Sequence, residues 1–269
     1  MTKIKIFCVS DIESKLLEKL DLTLVGVGKK KFSKKYINIK NKKNIQNKEG
    51  NYSELTFHYW FWKNQLSSYD SKTWIGFCQK RRFWLKKKIK IKSFEDLQKN
   101  ILKKAPKEWL KYDSVICRPI NVYNPKKMKI LKRGWKNLIK DPTIFYNQKK
   151  QNIKLHFDMH HGYGVLDKAI DVMNNDKKED FRNYVNNNNK FNPNIMYISN
   201  KYFLQKWFKD LFEWLFECEK VFGLRKLSGY DQKRLYAYLA ERYASFWFKK
   251  NTKSISWHWV FFDVRELKL

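Results

Sequence analysis

The sequence predicts an α/β fold: a mostly parallel central sheet flanked by helices, with a helical C-terminal part. Two observations carry this. Short apolar runs of strand length alternate along the chain with longer amphipathic stretches at helical spacing, as parallel strands joined by helical crossovers require. Hydrophobic residues make up 43% of the 269 positions and aromatics 17%. That is enough for a core built on Phe, Tyr and Trp within one domain, 1–269.

The elements follow in order. "KIKIFCVS" (3–10) is an opening strand. After a short helical stretch, "LTLVGVG" (22–28) is a second strand that ends in Gly26 and Gly28, where backbone can approach a ligand closely. Residues 29–51, rich in Lys and Asn, read as a mobile basic loop, either a lid or a solvated insertion. The stretch 53–66 carries Leu55, Tyr59, Trp62 and Leu66 at helical spacing, with Ser53 as its N-cap. "TWIGFC" (73–78) is a buried strand, and "SFEDLQKNILKKA" (93–105) is a helix opened by Ser93 and two acids.

"DSVICRPI" (113–120) is a strand stopped by Pro119, and 124–155 is irregular and basic. Helices are expected at 164–175 and 177–186, then a strand at 194–199. A long helix at 200–221 has the stripe Leu204, Trp207/Phe208, Leu211 and Leu215, a further helix covers 231–248, and a closing strand covers 254–262.

Charge narrows the partners. With 58 Lys and Arg against 26 Asp and Glu, the net charge is +32. Such a field favours polyanions: nucleic acid, an anionic membrane face or phosphorylated substrates. The excess is mostly Lys and travels with Asn, Ile and Phe, as A/T-rich codons would also give, so charge alone names no partner. Cys8, Cys78, Cys117 and Cys218 form no C-x-x-C pair and suit reduced, buried thiols in a cytoplasmic protein. Lys3 and Lys5 interrupt an opening run too short for a signal sequence, and 202–222 carries too many charges to span a bilayer.

No G-x-G-x-x-G, P-loop, G-x-S-x-G or D-x-D is present. Three polar clusters remain. Arg81 and Arg82 follow the 73–78 strand at its carboxyl end, where open α/β sheets bind ligands, and two forked donors suit a diphosphate. "HFDMHH" (156–161) puts His156, Asp158 and His160 on one side if extended, and His156 with His160 on one face if helical. Metal ligation and hydrogen bonding to substrate or backbone are both open to it. Glu241–Arg242, within an aromatic helix, is either a structural ion pair or a site carboxylate, and Glu54 carries the same ambiguity.

"NIQNKEGNYSELTFHYWFWKN", "WIGFCQKRRF", "YDSVI", a double His, "MYIS" and "RLYAYLAER" occur in that order. The series resembles the bacterial surface-polysaccharide glycosyltransferase family catalogued as domain of unknown function 4422. Its members show patterns such as Y-C-E-L-T-x-x-Y-W-x-W-K-N and Y-I-G-x-x-H-Y-R-R-Y-F. Here Ser53 stands for the family Cys, Gln79 for its His and Lys80 for its Tyr. The resemblance implies a GT-A-like sheet and one glycosyltransferase-like domain. It implies transfer of a sugar, hexosyl or galactofuranosyl, from a nucleotide-diphosphate donor to a capsule or lipopolysaccharide acceptor, free glycan or lipid-linked.

On that reading Arg81 and Arg82 neutralise the leaving diphosphate, assisted by His160 or His161, with Gly26 and Gly28 at the donor. Asp158 ranks first as the base, ahead of Glu241 and Glu54. The arginines and a histidine-and-acid hairpin would flank the pyrophosphate. A divalent ion, Mn²⁺ or Mg²⁺, stays open without D-x-D. The positive surface suits peripheral contact with the inner, anionic membrane face, and no specific nucleic acid is expected. The alternative reading is a non-catalytic, basic nucleic-acid-binding protein using Lys and aromatic stacking. It is disfavoured because the rings cluster in helical core stripes.

Overall fold

The structure, a computed structural model, describes residues 3–39, 42–224, 227 and 229–263. The chain divides into two compact units: 1–118 with 194–209 and 248–269, and 119–193 with 210–247. No helix among the described residues is long and apolar enough to cross a membrane.

Strands β1 (Ile4–Ser10), β2 (Thr23–Gly26) and β3 (Ile37–Asn38) lead into β4 (Trp74–Gln79), β5 (Arg82–Trp84) and β6 (Ser114–Cys117). After β7 (Ile120–Asn121) and β8 (Lys190–Phe191) come β9 (Tyr197–Ser199), β10 (Ser254–Trp257) and β11 (Trp259–Phe261). The helices of the first part are α1 (Lys15–Glu18), α2 (Glu49–Tyr52), α3 (Leu55–Asn64) and α4 (Phe94–Asn100). Then follow α5 (Lys127–Arg133), α6 (Trp135–Lys140), α7 (Ile153–His161), α8 (Val165–Asp171) and α9 (Asn175–Asn187). The long α10 (Lys201–Phe222), α11 (Tyr230–Lys233) and α12 (Leu235–Asn251) complete the set.

The first unit is built on the sheet β10-β6-β9-β4-β1-β2-β3, with β5 and β11 off its path. β1 pairs in parallel with β2 and β4, β2 with β3, and β6 with β10. β9 runs antiparallel to both β4 and β6. The expected mostly parallel sheet is therefore present, with one reversed strand inside it. Five residues of β1 and five of β4 are buried, because strands covered on both faces read as continuous apolar runs rather than alternating ones.

Helix α3 covers β1 and β4 with rings. Phe57 and Phe61 lie 5.3 and 5.0 Å from Phe7, and Phe61 meets Phe77 edge-on at 5.5 Å. Leu55, Phe57 and Phe61 are fully buried. The sequence stripe assigned Trp62 to the core. Its indole is instead half-buried, donating to Gln205 at 3.0 Å beneath the Lys63 ammonium. Ser53 is not a side-chain N-cap either. It ends α2 at φ 52°, ψ −130°, and its carbonyl accepts from Thr56 Oγ1 at 2.8 Å. Ser93 caps α4 as expected, accepting from the Asp96 amide at 3.1 Å.

The basic segment 29–51 contains more structure than its composition suggests. Ile37–Asn38 adds a strand to the sheet edge, and Tyr36, Ile39 and Ile45 are buried. The expected closing strand 254–262 divides at His258, so that β10 pairs with β6 and β11 with β5. All four cysteines are buried thiols outside any disulfide, with Cys8 and Cys78 in register on β1 and β4.

Gly76 marks where β9 presses on β4. A Cβ there would come within 2.8 Å of Ile198 Cγ1 on β9. Gly76→Ala is expected to lower unfolding free energy by about 1–3 kcal/mol through overpacking, read from urea denaturation midpoints.

The second unit is helical, with the β7–β8 ribbon. Phe181, Trp214 and Tyr243 form its aromatic centre at centroid distances of 5.0–5.7 Å. The stretch 124–155, expected to be irregular, holds α5, α6 and the start of α7. Ile130, Leu155 and Met159 make a small apolar cluster there.

Candidate active site

Strand order marks a switch point in the first unit. From β1 the chain moves to β2 and β3 on one side, while β4 lies on the other, so the order reverses between β1 and β4. Ligands of open α/β sheets bind at the carboxyl ends of strands beside such a switch point. Val9 is in register with Gln79, and Ser10 with Gly26. The residues that follow these positions therefore rim the same edge.

Those residues are strongly polar. Asp11, after β1, forms an ion pair with Lys80, after β4. The β4–β5 turn carries Arg81, whose Nη1 donates to Asp263 at 3.3 Å. Arg82 Nη1 donates to Gln79 Oε1 at 2.9 Å, and the Gln79 amide in turn donates to Glu54. Both guanidinium carbons lie 5.7 Å from the Phe261 ring, which holds the two forks side by side. Glu54, Gln79 and Arg82 thus form one hydrogen-bonded line at the tip of β4.

Glu54 is fixed from behind. The residue before it, Ser53, is buried in a positive-φ conformation that favours glycine, and such strain persists only where the surroundings over-determine it. Gly28, at φ +87°, faces the Glu49 carboxylate, and its carbonyl accepts from Gln46 at 2.8 Å. At Gly26 the close approach is made by the Phe32 ring, which a Cβ would meet at 2.4 Å. Glycine is needed there for packing.

A separate hollow of about 1260 Å³ opens at the opposite, amino ends of β1 and β4, lined by Lys3, Asp70, Lys72, Trp74, Lys103 and Leu110. It lies away from the switch-point edge, and none of the candidate residues lines it.

The second unit gathers the histidines. Residues 156–161 are helical rather than a hairpin, because Asn152 caps α7 by accepting from the Leu155 amide at 2.9 Å and the helix runs to Gly162. His156 and His160 consequently stack at 4.4 Å, while Asp158 points to another face. The Asp158 side chain is fully buried. It accepts from the Gly164 amide at 3.0 Å and pairs with Lys154 at 3.4 Å, and burial raises its pKa despite that lysine. Its geometry is that of a loop anchor.

Arg242 is 2% exposed, with its guanidinium 4.3 Å from the Phe191 ring. It pairs with Glu241 and donates to His156 Nδ1 at 3.2 Å. Burial and Arg242 hold His156 down to about 2, so it stays neutral. Burial also lowers His160, whose Nδ1 donates to the His156 carbonyl at 2.9 Å. His161 stacks on Tyr238 at 3.8 Å.

In the first unit, His58 is buried beside Phe77 and its Nδ1 shares a hydrogen bond with the Tyr197 hydroxyl at 2.8 Å. Desolvation lowers its pKa to about 3. Folded His58 and His156 are thus uncharged, whereas the unfolded chain protonates both below about pH 6.5. Stability is full above that value and falls as pH drops toward 3, by about 1.4 kcal/mol per pH unit for each imidazole. Urea unfolding at pH 7 and pH 5 should show this loss, and His58→Gln should reduce it. An unchanged wild-type midpoint would contradict it.

Among the described residues no three His, Cys, Asp or Glu side chains group to hold a metal. The cationic groups at the switch-point edge are side chains: Lys80, Arg81 and Arg82. Sequence reasoning missed Asp11 and Asp263, their partners. Asp11 was readable as the first acid after a strand's carboxyl end, but Asp263 pairs across 182 residues and left no local signal.

A family profile for a domain of unknown function, DUF4422, matches residues 5–252. The chain belongs to the DUF4422 family. No curated protein matches the sequence. Among solved structures, the apo form of WbbM, a bifunctional glycosyltransferase, aligns with a TM-score of 0.63 at 16% identity over 97% of this chain. This DUF4422 chain spans 45% of that protein's length. At such identity the likeness is one of fold, and it makes the DUF4422 sheet GT-A-like.

Proposed function

We propose that this DUF4422 protein is a glycosyltransferase that uses a nucleotide-diphosphate sugar. The observation that carries the proposal is the Glu54–Gln79–Arg82 line beside Arg81, at the carboxyl tip of β4 and next to the switch point. In the reaction an acceptor hydroxyl oxygen forms a bond to the anomeric carbon as the bond to the diphosphate oxygen breaks. The hydroxyl proton passes to Glu54, and the nucleoside diphosphate departs with the bonding electrons. Arg81, Arg82 and Lys80 neutralise its developing charge, which is where preorganised cations lower a barrier most. Gln79 orients Glu54 through its amide and accepts from Arg82 through its carbonyl.

The transferred unit is hexosyl or galactofuranosyl, and the acceptor is a capsule or lipopolysaccharide glycan, free or lipid-linked, at the inner membrane face. The likeness in fold to WbbM supports transfer chemistry in general. The test is thermal shift with a panel of nucleotide sugars, with and without Mn²⁺, against single-stranded DNA at rising salt. Stabilisation by a nucleotide sugar, lost in Arg82→Ala, is expected. Stabilisation by DNA alone, vanishing with salt, would replace this reading with that of a basic nucleic-acid binder.

A further inference from the structure

Helices α5 and α6 form one basic, amphipathic segment of the second unit. They meet at a bend at Gly134 (φ −106°, ψ 9°), which ends α5 by donating to Ile130 at 2.7 Å and opens α6 by accepting from the Leu138 amide at 3.0 Å. Ile130 and Asn137 are buried, and Leu138 packs against the cluster of Ile130, Leu155 and Met159 on α5 and α7. This inner face fixes the segment's orientation.

The outer surface is divided. Met128, Leu131, Trp135 and Ile139 are 59%, 46%, 51% and 72% exposed. At about 100° per residue Met128 and Leu131 share one flank of α5, and Trp135 and Ile139 share one flank of α6. Lys129, Lys132, Arg133, Lys136 and Lys140 fall on the adjoining flank, and no acid occurs between 126 and 140. The Lys136 ammonium lies 5.5 Å from the Trp135 ring centroid. Large exposed apolar side chains gathered at helical spacing mark a contact surface, whereas single ones do not.

The geometry points to an anionic lipid bilayer as the occupant. An apolar stripe with Trp, next to a basic flank, matches a helix lying in the headgroup plane: the rings and aliphatic chains enter the acyl boundary, and the lysines reach phosphates. A second copy of this chain would set one all-basic flank against another. A protein partner would need a groove both apolar and acidic along its length, whereas an anionic bilayer has both properties at every point. This assignment uses none of the residues given to sugar transfer, and vesicle binding requires no donor, so the two readings fail independently.

The test is co-sedimentation of the full chain with phosphatidylcholine vesicles, with and without phosphatidylglycerol, at an ionic strength on the order of 0.1 M. Wild type is expected to bind the anionic vesicles and not the neutral ones. The triple variant Leu131→Ser, Trp135→Ser, Ile139→Ser, all at exposed positions, should lose at least about tenfold in partitioning while its melting temperature is kept. A charge control, Lys72→Gln, Lys103→Gln, Lys104→Gln in the first unit, should bind within about threefold of wild type. No anionic-vesicle binding by wild type, or equal losses in the two triple variants, overturns the proposal. So does a wild-type dimer that the apolar variant dissociates without any vesicle binding, because that makes a second copy the occupant.

Discussion

Replacing Arg81 and Arg82 together with Ala is expected to lower transfer by about 10³-fold or more, equivalent to about 4 kcal/mol of barrier. The reason is positional. Both forks sit at the β4 tip, stacked beside Phe261, with Arg82 held by Gln79 and Arg81 by Asp263. On the proposed reaction they would meet a leaving diphosphate already oriented, and their Coulomb attraction would act most where charge accumulates. Because Arg81→Ala leaves the 3%-exposed Asp263 side chain without this donor, the single variant Arg82→Ala and the pair Arg82→Lys and Arg81→Lys belong in the same series. Lysine keeps charge but loses the fork, so partial activity in the lysine pair and near-complete loss in the alanine pair is the expected order. Wild-type turnover in the folded alanine pair would take these arginines out of the mechanism.

Glu54→Gln comes next, with an expected fall in kcat of about 10²–10⁴-fold and a change in donor KM of less than about threefold. A glutamine preserves size and can still bond to Gln79, so the fold and the arginine line survive while proton acceptance does not. Single-turnover kinetics with saturating donor separate the two quantities. Full activity in Glu54→Gln together with loss in Glu241→Gln would assign the base to the second unit.

The fold was largely legible because its strands are short apolar runs with no competing helical pattern: "KIKIFCVS" and "TWIGFC" each fall within a residue of β1 and β4. What escaped was set by contacts distant in sequence. Nothing in "NIMYIS" shows that β9 runs antiparallel between β4 and β6, since a fully buried strand looks the same in either direction. Ser53 resembles an N-cap by type and position. The α2–α3 connection takes its backbone to positive φ, so its carbonyl, not its hydroxyl, serves Thr56. In "HFDMHH" period two and period four were both open, and the Asn152 cap four residues upstream decided for the helix.

The place of Arg81 and Arg82 at the carboxyl end of β4 was readable from their position after a strand. The surroundings of the carboxylates were not. Asp158 and Glu54 differ in burial and partners: one carboxylate anchors a glycine turn, and the other ends a hydrogen-bonded line to Arg82. Residue type is blind to that difference.

The first unit's sheet is assembled from pieces distant in the chain. β4 and β6 are synthesised early, yet the strand that separates them begins at Tyr197, after most of the second unit has been made. During translation two buried-type strands must wait with bare hydrogen-bonding margins, the condition under which nascent chains pair wrongly or recruit chaperones. Versions of this protein cut short before residue 194 should therefore be recovered as insoluble material, even though they retain Glu54, Gln79, Arg81 and Arg82.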